Sequence, residues 1–455
     1  MKLHLPILSV CLILMFLSTA ASQPGRVSKT LDDTQVAELV KAEFLHAWNA
    51  YKRYAWGHEH LKPLSRSYDD WHTESLMTTA VDALDTMILM GLREEAEKTR
   101  DFIVGHLSFD KDVEVKNFEI TIRLLGGLLS AYQLMEDDRL LKLADDLGRR
   151  LLPVFESPTG MPYMYVNLRT GAVREAVSNP AEIGTLLIEF GTLSKLTGNP
   201  VYYEKAKRAL VEVFSRRSSI GLVGEQINVE TGRWVDSSSH VGGRIDSYYE
   251  YLLKCWLLFD DKDCERMWKE SVAALHKHLA DEVPSGLWYG RVDMMTGKRE
   301  KTWWGGLEAF LPAVLALGGD LDRAKRLQES SYKMWNLAGV EPELIDYSTM
   351  KILNAGYPLR PEIMESAYYI LFFTGDSRYR EMGRTFLESL LKYCRTENGY
   401  AALRNVETKE QKDEMESFFL AETLKYLYLI FAPRETLDLH TVVFNTEAHP
   451  IRRTW

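Results

Sequence analysis

Three carboxylates stand beside arginines where a helix is expected to begin: Glu119 with Arg123, Asp246 with Arg244, and Glu362 with Arg360. A side chain in the first turn of a helix lies near the positive end of the peptide dipole, where an anion is favoured. Pro361 suits the first helical position, because its missing N–H would be unpaired there in any case. Such a carboxylate could be a good helix start and nothing more. The arrangement recurs, however, with Asp82, Glu182, Glu308 and Glu422 in comparable places. Several like charges in one partly buried funnel would push some of their pKa values up. One acid would then hold its proton while another is ionised at the same pH, the condition for paired acid–base catalysis. For Asp82 and Glu182 the helix-cap reading is the stronger one.

A repeat supplies the elements that must position these acids. Gly160…Thr170-Gly171, Gly221…Thr231-Gly232 and Gly286…Thr296-Gly297 each place the leading glycine ten residues before the threonine. Gly339…Thr349 keeps that spacing, and Gly399…Thr408 shortens it to nine. Aromatic and β-branched residues fill the intervals and an Asn/Asp-x-x-Thr turn ends them, so each unit reads as a β-hairpin. Amphipathic stretches between hairpins, such as 178–197 with 200–216 and 244–258 with 264–279, read as helix pairs. Glu182, Asp246, Glu308, Glu362 and Glu422 fall 22 to 25 residues after their glycines; Asp82 is 25 after Gly57, and Glu119 is 14 after Gly105. Carried back to Gly105 and Gly57, where weaker hairpins are expected, the period predicts seven units. The expected fold is mainly α, an (α/α)7 barrel with short β-hairpins at one end. An open solenoid normally exposes polar end repeats, whereas the final stretch 441–449 is apolar and strand-like, suited to burial. If alternate helices form the inner wall, the acids ring one mouth of the barrel.

The 455 residues are 46% hydrophobic and carry a net charge of −10, with no basic block to serve a nucleic-acid surface. Lys2, an apolar run from Leu5 to Leu17 and small residues at 18–22 read as a secretory signal peptide, leaving 23–455 as one barrel domain. The run is too short to span a bilayer, so no membrane span is expected in the mature protein. Cys255, Cys264 and Cys394 then remain, enough for one disulfide at most. With no Asn-x-Ser/Thr sequon, these features favour a secreted or bacterial periplasmic protein over a eukaryotic lumenal one. Carboxylates, arginines and nearby aromatics (Tyr248, Tyr249, Trp303, Trp304, Phe418) suit a neutral ligand and the chemistry of glycosides.

The chain resembles the class I α-1,2-mannosidases, the inverting glycosidases of glycoside hydrolase family 47. The matching runs include Phe118-Glu-Ile-Thr-Ile-Arg123, Arg244-Ile-Asp246, Leu359-Arg-Pro-Glu362…Glu365, Met415-Glu-Ser-Phe418…Glu422 and Phe444-Asn-Thr-Glu-Ala-His449. They lie in family order over roughly residues 40 to 450. The resemblance implies an (α/α)7 barrel plugged by a C-terminal hairpin. It implies Glu119 as general acid acting through a water, Glu362 as general base and Asp246 as a third essential carboxylate. It also implies Ca²⁺ on Thr446, with waters and sugar hydroxyls completing the shell. Arg123, Arg360, Glu365, Phe418, Glu422 and Glu447 match residues that line the terminal-mannose subsite or support the ion. The implied substrate is a mannose-containing oligosaccharide or N-glycan, cut by an exo-acting monomer.

Two departures stand out. Gly306 occupies the place of a His that processing mannosidases carry, which bears on the leaving-group subsite. His58-Glu59-His60 replaces a usual acidic pair; it lacks the i, i+4 spacing and third ligand of a zinc site. The alternative reading is a mannose-binding, lectin-like member with weak or no hydrolysis, which the three retained carboxylates oppose. A helical-barrel sugar epimerase would need His acid/base residues on the inner helices instead.

Overall fold

The computed structural model describes residues 31–455; the expected signal peptide lies outside them. Seven outer helices, Asp33–Tyr54, Arg93–His106, Asp138–Leu151, Pro200–Ser215, Lys262–His278, Leu321–Ala338 and Arg378–Tyr393, alternate with seven inner helical segments. The inner segments begin at Thr78, Asn117, Pro180, Asp246, Leu307, Glu362 and Phe419. Their composition explains the two layers. Asp138–Leu151 buries Leu140, Ala144, Leu147 and Leu151 along one stripe and leaves its charges outside. Glu362–Thr374 buries every residue from Ile363 to Phe372, as a helix enclosed on all sides must. Asp137, Asn199, Asp261 and Asp320 cap the starts of outer helices by accepting from backbone N–H groups.

The ring is closed. Leu424–Phe431, the last inner helix, packs on Asp33–Tyr54, the first outer one. Short antiparallel sheets stitch neighbouring units at one end of the barrel. The linker strand Glu114–Lys116 pairs with Tyr165–Asn167 of the following unit. Val177–Ser178 pairs with Gln226–Asn228, Ser238–Ser239 with Arg291–Asp293, and Trp303–Gly305 with Leu344–Asp346. Single bridges continue the pattern at Tyr357–Leu403 and, across the seam, at Leu61–Met415. That last bridge ties the final linker to the first hairpin, which no open solenoid could do. Six of the seven linkers that lead into inner helices are thus clamped by the next unit.

Details differ from the sequence reading. The leading glycines Gly160 and Gly221 form left-handed turns, and their strands begin only at Tyr165 and Gln226. Near Gly105 a single strand, Glu114–Lys116, replaces the expected hairpin. An extra hairpin, Ala280–Val283 with Gly286–Tyr289, follows the fifth outer helix. The C-terminal hairpin, Val442–Phe444 with Pro450–Arg452, enters the barrel. It can do so because Gly126 and Gly127 line its path: a Cβ at Gly126 would lie 2.5 Å from Asn445 Nδ2. Among the described residues no helix is long and apolar enough to cross a membrane.

Candidate active site

One cavity of about 480 Å³ opens at the N-terminal ends of the inner helices, within the range of small-ligand sites. Glu119, Asp246, Glu362, Arg123, Arg360, Glu365, Phe418, Glu422, Glu447 and Thr446 all line it. Ten residues from five separated parts of the chain therefore converge on one cup.

The backbone is strained where it delivers these side chains. Arg244, two residues before Asp246, has φ +77°, and Leu359, three before Glu362, has φ +67°. A non-glycine residue held there costs about 1–3 kcal/mol, which surrounding structure must offset; the clamped linkers supply that restraint. Two inner segments start through π-helical turns, Thr121–Leu125 carrying Arg123 and Phe419–Thr423 carrying Glu422. Such a turn rotates one residue out of register and often marks a functional position.

On one wall, Arg123 donates from Nε and Nη2 to Glu119 Oε2, both at 3.1 Å, and from Nη1 to Glu447. Its guanidinium lies over the rings of Trp71 and Phe418. Lys116 Nζ reaches Glu182 Oε1 at 2.5 Å and Glu119 Oε1 at 3.9 Å. On the opposite wall cations are turned aside. Arg360 makes a bidentate contact with Glu343 and stands 3.7 Å from Glu362. Glu362 Oε2 is buried without a hydrogen-bond partner. Burial first, with Glu343 and Glu308 adding repulsion, pushes the Glu362 carboxyl up to about 7 despite Arg360. Burial and then the charges of Glu250, Glu308 and Glu362 push Asp246 up to about 7, although the Ser247 N–H opposes this. Glu365, buried and beside Glu250 and Glu362, rises to about 8, with Lys254 pulling the other way.

The floor is the turn Asn445–His449. Asn445 Oδ1 accepts from the N–H groups of Glu447 and His449, and its Nδ2 donates to Ile122 O and Glu189 Oε1. Thr446 Oγ1 donates to Glu250 Oε2 at 2.8 Å, and Thr446 N–H meets the Tyr251 hydroxyl at 3.3 Å. His449 is wedged between Asp85 Oδ2 at 2.6 Å and Asp82 Oδ1 at 3.3 Å, all three fully buried. Against burial, which would lower it, these two carboxylates hold His449 up at about 9. Lys425 closes the latch on Asp85 at 2.7 Å and on the Ala448 carbonyl.

The surroundings of Thr446 fit a hard cation. The cavity lining includes Glu250, Glu365, Glu422 and Glu447 but no His or Cys. Glu189 Oε2, just behind the floor, is a buried oxygen without a partner. Oxygen donors alone suit Ca²⁺ rather than Zn²⁺.

Several expectations need correction. Asp82 does not join the ring at the mouth; it lies beneath the floor, holding His449 and accepting from Ser417. Glu308 lines a neighbouring cleft of about 400 Å³ rather than the cup. Tyr248, Tyr249 and Trp304 are core residues, because successive positions on an enclosed helix or strand cannot all face the cavity; Phe418 lines it as expected, joined by Phe118, Tyr165 and Phe310. Glu182 does line the cup. Lys116, Glu250 and Lys254 were missed, since an i, i+4 pair such as Glu250–Lys254 ordinarily reads as a solvated helix face. His58 bonds Asp70 while His60 contacts Glu416, so the two do not converge on a metal. At Gly306 a Cβ would lie 3.0 Å from Arg360 Cδ; its absence gives the arginine room to reach Glu343.

A closed ring of helix pairs with an acid-lined, dead-ended cup at its inner-helix N-termini is the architecture of a helical-barrel glycoside hydrolase. The profile of Glycosyl hydrolase family 47 matches residues 43–453. The chain is 36% identical to Alpha-mannosidase I MNS5 of Arabidopsis thaliana, over 98% of this chain and 82% of that protein. It is 38% identical to the Endoplasmic reticulum mannosyl-oligosaccharide 1,2-alpha-mannosidase of Homo sapiens, over 90% of this chain and 62% of that one. The solved alpha-1,2-mannosidase from Trichoderma reesei superposes with a TM-score of 0.85 at 29% identity, covering 94% of this chain and 99% of that one. The chain belongs to glycosyl hydrolase family 47, and its fold is the (α/α)7 barrel.

Proposed function

We propose that this glycoside hydrolase is an exo-acting, inverting α-mannosidase that removes terminal α-1,2-linked mannose from oligosaccharides or glycans. The observation that carries this reading is the convergence of all ten expected site residues on one cup floored by the Asn445–His449 turn. A closed floor admits a chain end and not a chain interior. Its relatives are named as mannosidases acting on such linkages.

Glu362 is the general base. It is buried, carries an oxygen with no protein partner, and has a pKa near neutrality, so its carboxylate can take a proton from an attacking water. Glu119 is the general acid, delivering its proton to the leaving oxygen through a water; Asp246, raised to about 7, is the third carboxylate and a neighbouring store of protons. An inverting pair stands about 6.5–9.5 Å apart to admit water. Arg123, Phe418, Arg360, Glu365, Glu422 and Glu447 enclose the terminal sugar. Thr446 would hold Ca²⁺, backed by Glu250, Glu365, Glu422 and Glu447. When bound, the ion would coordinate sugar hydroxyls and offset the negative charge of the floor. The protein works as a secreted or periplasmic monomer.

A panel of linkage-defined mannobioses tests the proposal. Release of mannose from the α-1,2 isomer ahead of the α-1,3 and α-1,6 isomers is expected. Mannose binding with no release from any isomer would favour the lectin-like alternative.

A further inference from the structure

The hairpin formed by Asp246–Phe259 and Lys262–His278 carries two of the three mature cysteines at the barrel end away from the cup. Cys255 lies in the penultimate turn of the inner helix and Cys264 in the first turn of the outer one. Between them the chain reverses through Asp260, in the left-handed region at φ +54°, and Asp261, whose Oδ1 accepts from Cys264 N–H at 2.9 Å. This turn lays Cys264 back over Cys255: both side chains are fully buried and their Sγ atoms face one another at 2.6 Å. Cys394, also buried, sits on another helix pair.

We infer that Cys255 and Cys264 are joined by a disulfide that staples the inner helix bearing Asp246 to its outer partner. The step is thiol–disulfide exchange during folding with an external disulfide, such as oxidised glutathione or an oxidoreductase. One cysteine thiolate attacks that disulfide and expels a thiolate. The second cysteine then attacks the mixed disulfide and expels the other. The two cysteines are oxidised, the external disulfide is reduced to two thiols, and the two cysteine protons end on those thiols. Lys207 is placed to help, with Nζ 3.7 Å from Cys264 Sγ; a nearby ammonium favours the nucleophilic thiolate. After burial the bond is shielded from reductants.

A metal is the competing occupant, because Asp261 offers a third ligand atom within 4.8 Å of both sulfurs. Asp261 is already engaged, however, by the Lys207 ammonium and by the Tyr203 hydroxyl at 2.5 Å. A cation already stands where a metal would need a free carboxylate.

The test uses the full chain expressed into an oxidising compartment, or refolded with oxidised and reduced glutathione. Thiols are titrated in denaturant, and peptides are mapped without reduction. One free thiol per mature chain, assigned to Cys394, and a Cys255–Cys264 linked peptide are expected. Cys255→Ser and Cys264→Ser should each lower Tm by about 3 °C, and the double variant by no more than either alone. Three free thiols in the oxidatively prepared protein would overturn the inference. So would three thiols accompanied by one tightly bound zinc per chain, which would assign the cluster to a metal instead.

Discussion

The two walls of the cup hold similar acids but treat them differently. On the wall formed by the helix from Asn117, cations touch the carboxylates: Arg123 holds Glu119 and Glu447, and Lys116 spans Glu182 and Glu119. On the wall formed by the helices from Asp246 and Glu362, Arg360 is turned to Glu343 and Lys254 holds Glu250, so neither makes a hydrogen bond to Asp246 or Glu362. Burial then raises Asp246, Glu362 and Glu365 to between about 7 and 8. The placement of arginine and lysine divides the cup into a wall whose carboxylates cations contact closely and a wall where the nearest arginine is turned to Glu343. Burial pushes up carboxyls on both, Glu182 to about 7 and Glu447 to about 8 on the first.

Breaking the second wall should have the largest effect. Glu362→Gln is expected to lower kcat by about 10²–10⁴-fold, the usual contribution of a general base, with mannose affinity within a few-fold by calorimetry. Equal loss of binding and turnover would instead make Glu362 a ligand-holding residue. Breaking the first wall should register in stability. Arg123→Met strands Glu447 and Asp82 without their shared cation, and removing one partner of a buried pair costs about 3–5 kcal/mol. Denaturant unfolding measures this, and a loss below about 1 kcal/mol would mean solvent reaches the pair.

The contrast can also be read through pH. Glu189, Asp246, Glu362 and Glu365 have folded pKa values near 7 to 8, against ordinary values of 3.8 to 4.5. Between those limits the folded chain binds more protons than the unfolded one, so this contribution makes stability fall as pH rises through that window. A cation on the floor opposes the fall. Added Ca²⁺ should therefore raise Tm by roughly 3–6 °C more at pH 8 than at pH 5. An equal shift at both values would detach the ion from these acids. Activity should rise with pH through about 7 as Glu362 loses its proton. The smallest effect is expected at Gly306. Gly306→Ala presses a methyl group on Arg360 and should raise KM a few-fold for oligosaccharides with little change in kcat.

Much of this was legible beforehand because it is periodic. The Gly…Thr-Gly spacing located the hairpins, and an acid at a fixed distance beyond each glycine located most inner-helix starts. The closed ring had a local signal too, in the apolar C-terminal stretch around Phe444. Non-local facts had none. Nothing near Met415 announces that it pairs with Leu61, more than three hundred residues away. Asp82 obeys the same spacing as the cup acids, yet His449 draws it beneath the floor. Tyr248 and Tyr249 looked like sugar-stacking aromatics because they adjoin Asp246. Tyr248, about 200° round the helix from Asp246, turns away from the cup, and Tyr249 is buried in the core as well.

The most direct measurement is the anomer released first. Proton NMR of α-1,2-mannobiose hydrolysis by the wild-type protein should show β-mannose appearing before mutarotation, and none with Glu362→Gln. α-Mannose as the first product, or β-mannose still forming at the wild-type rate in that variant, would contradict a base on the second wall.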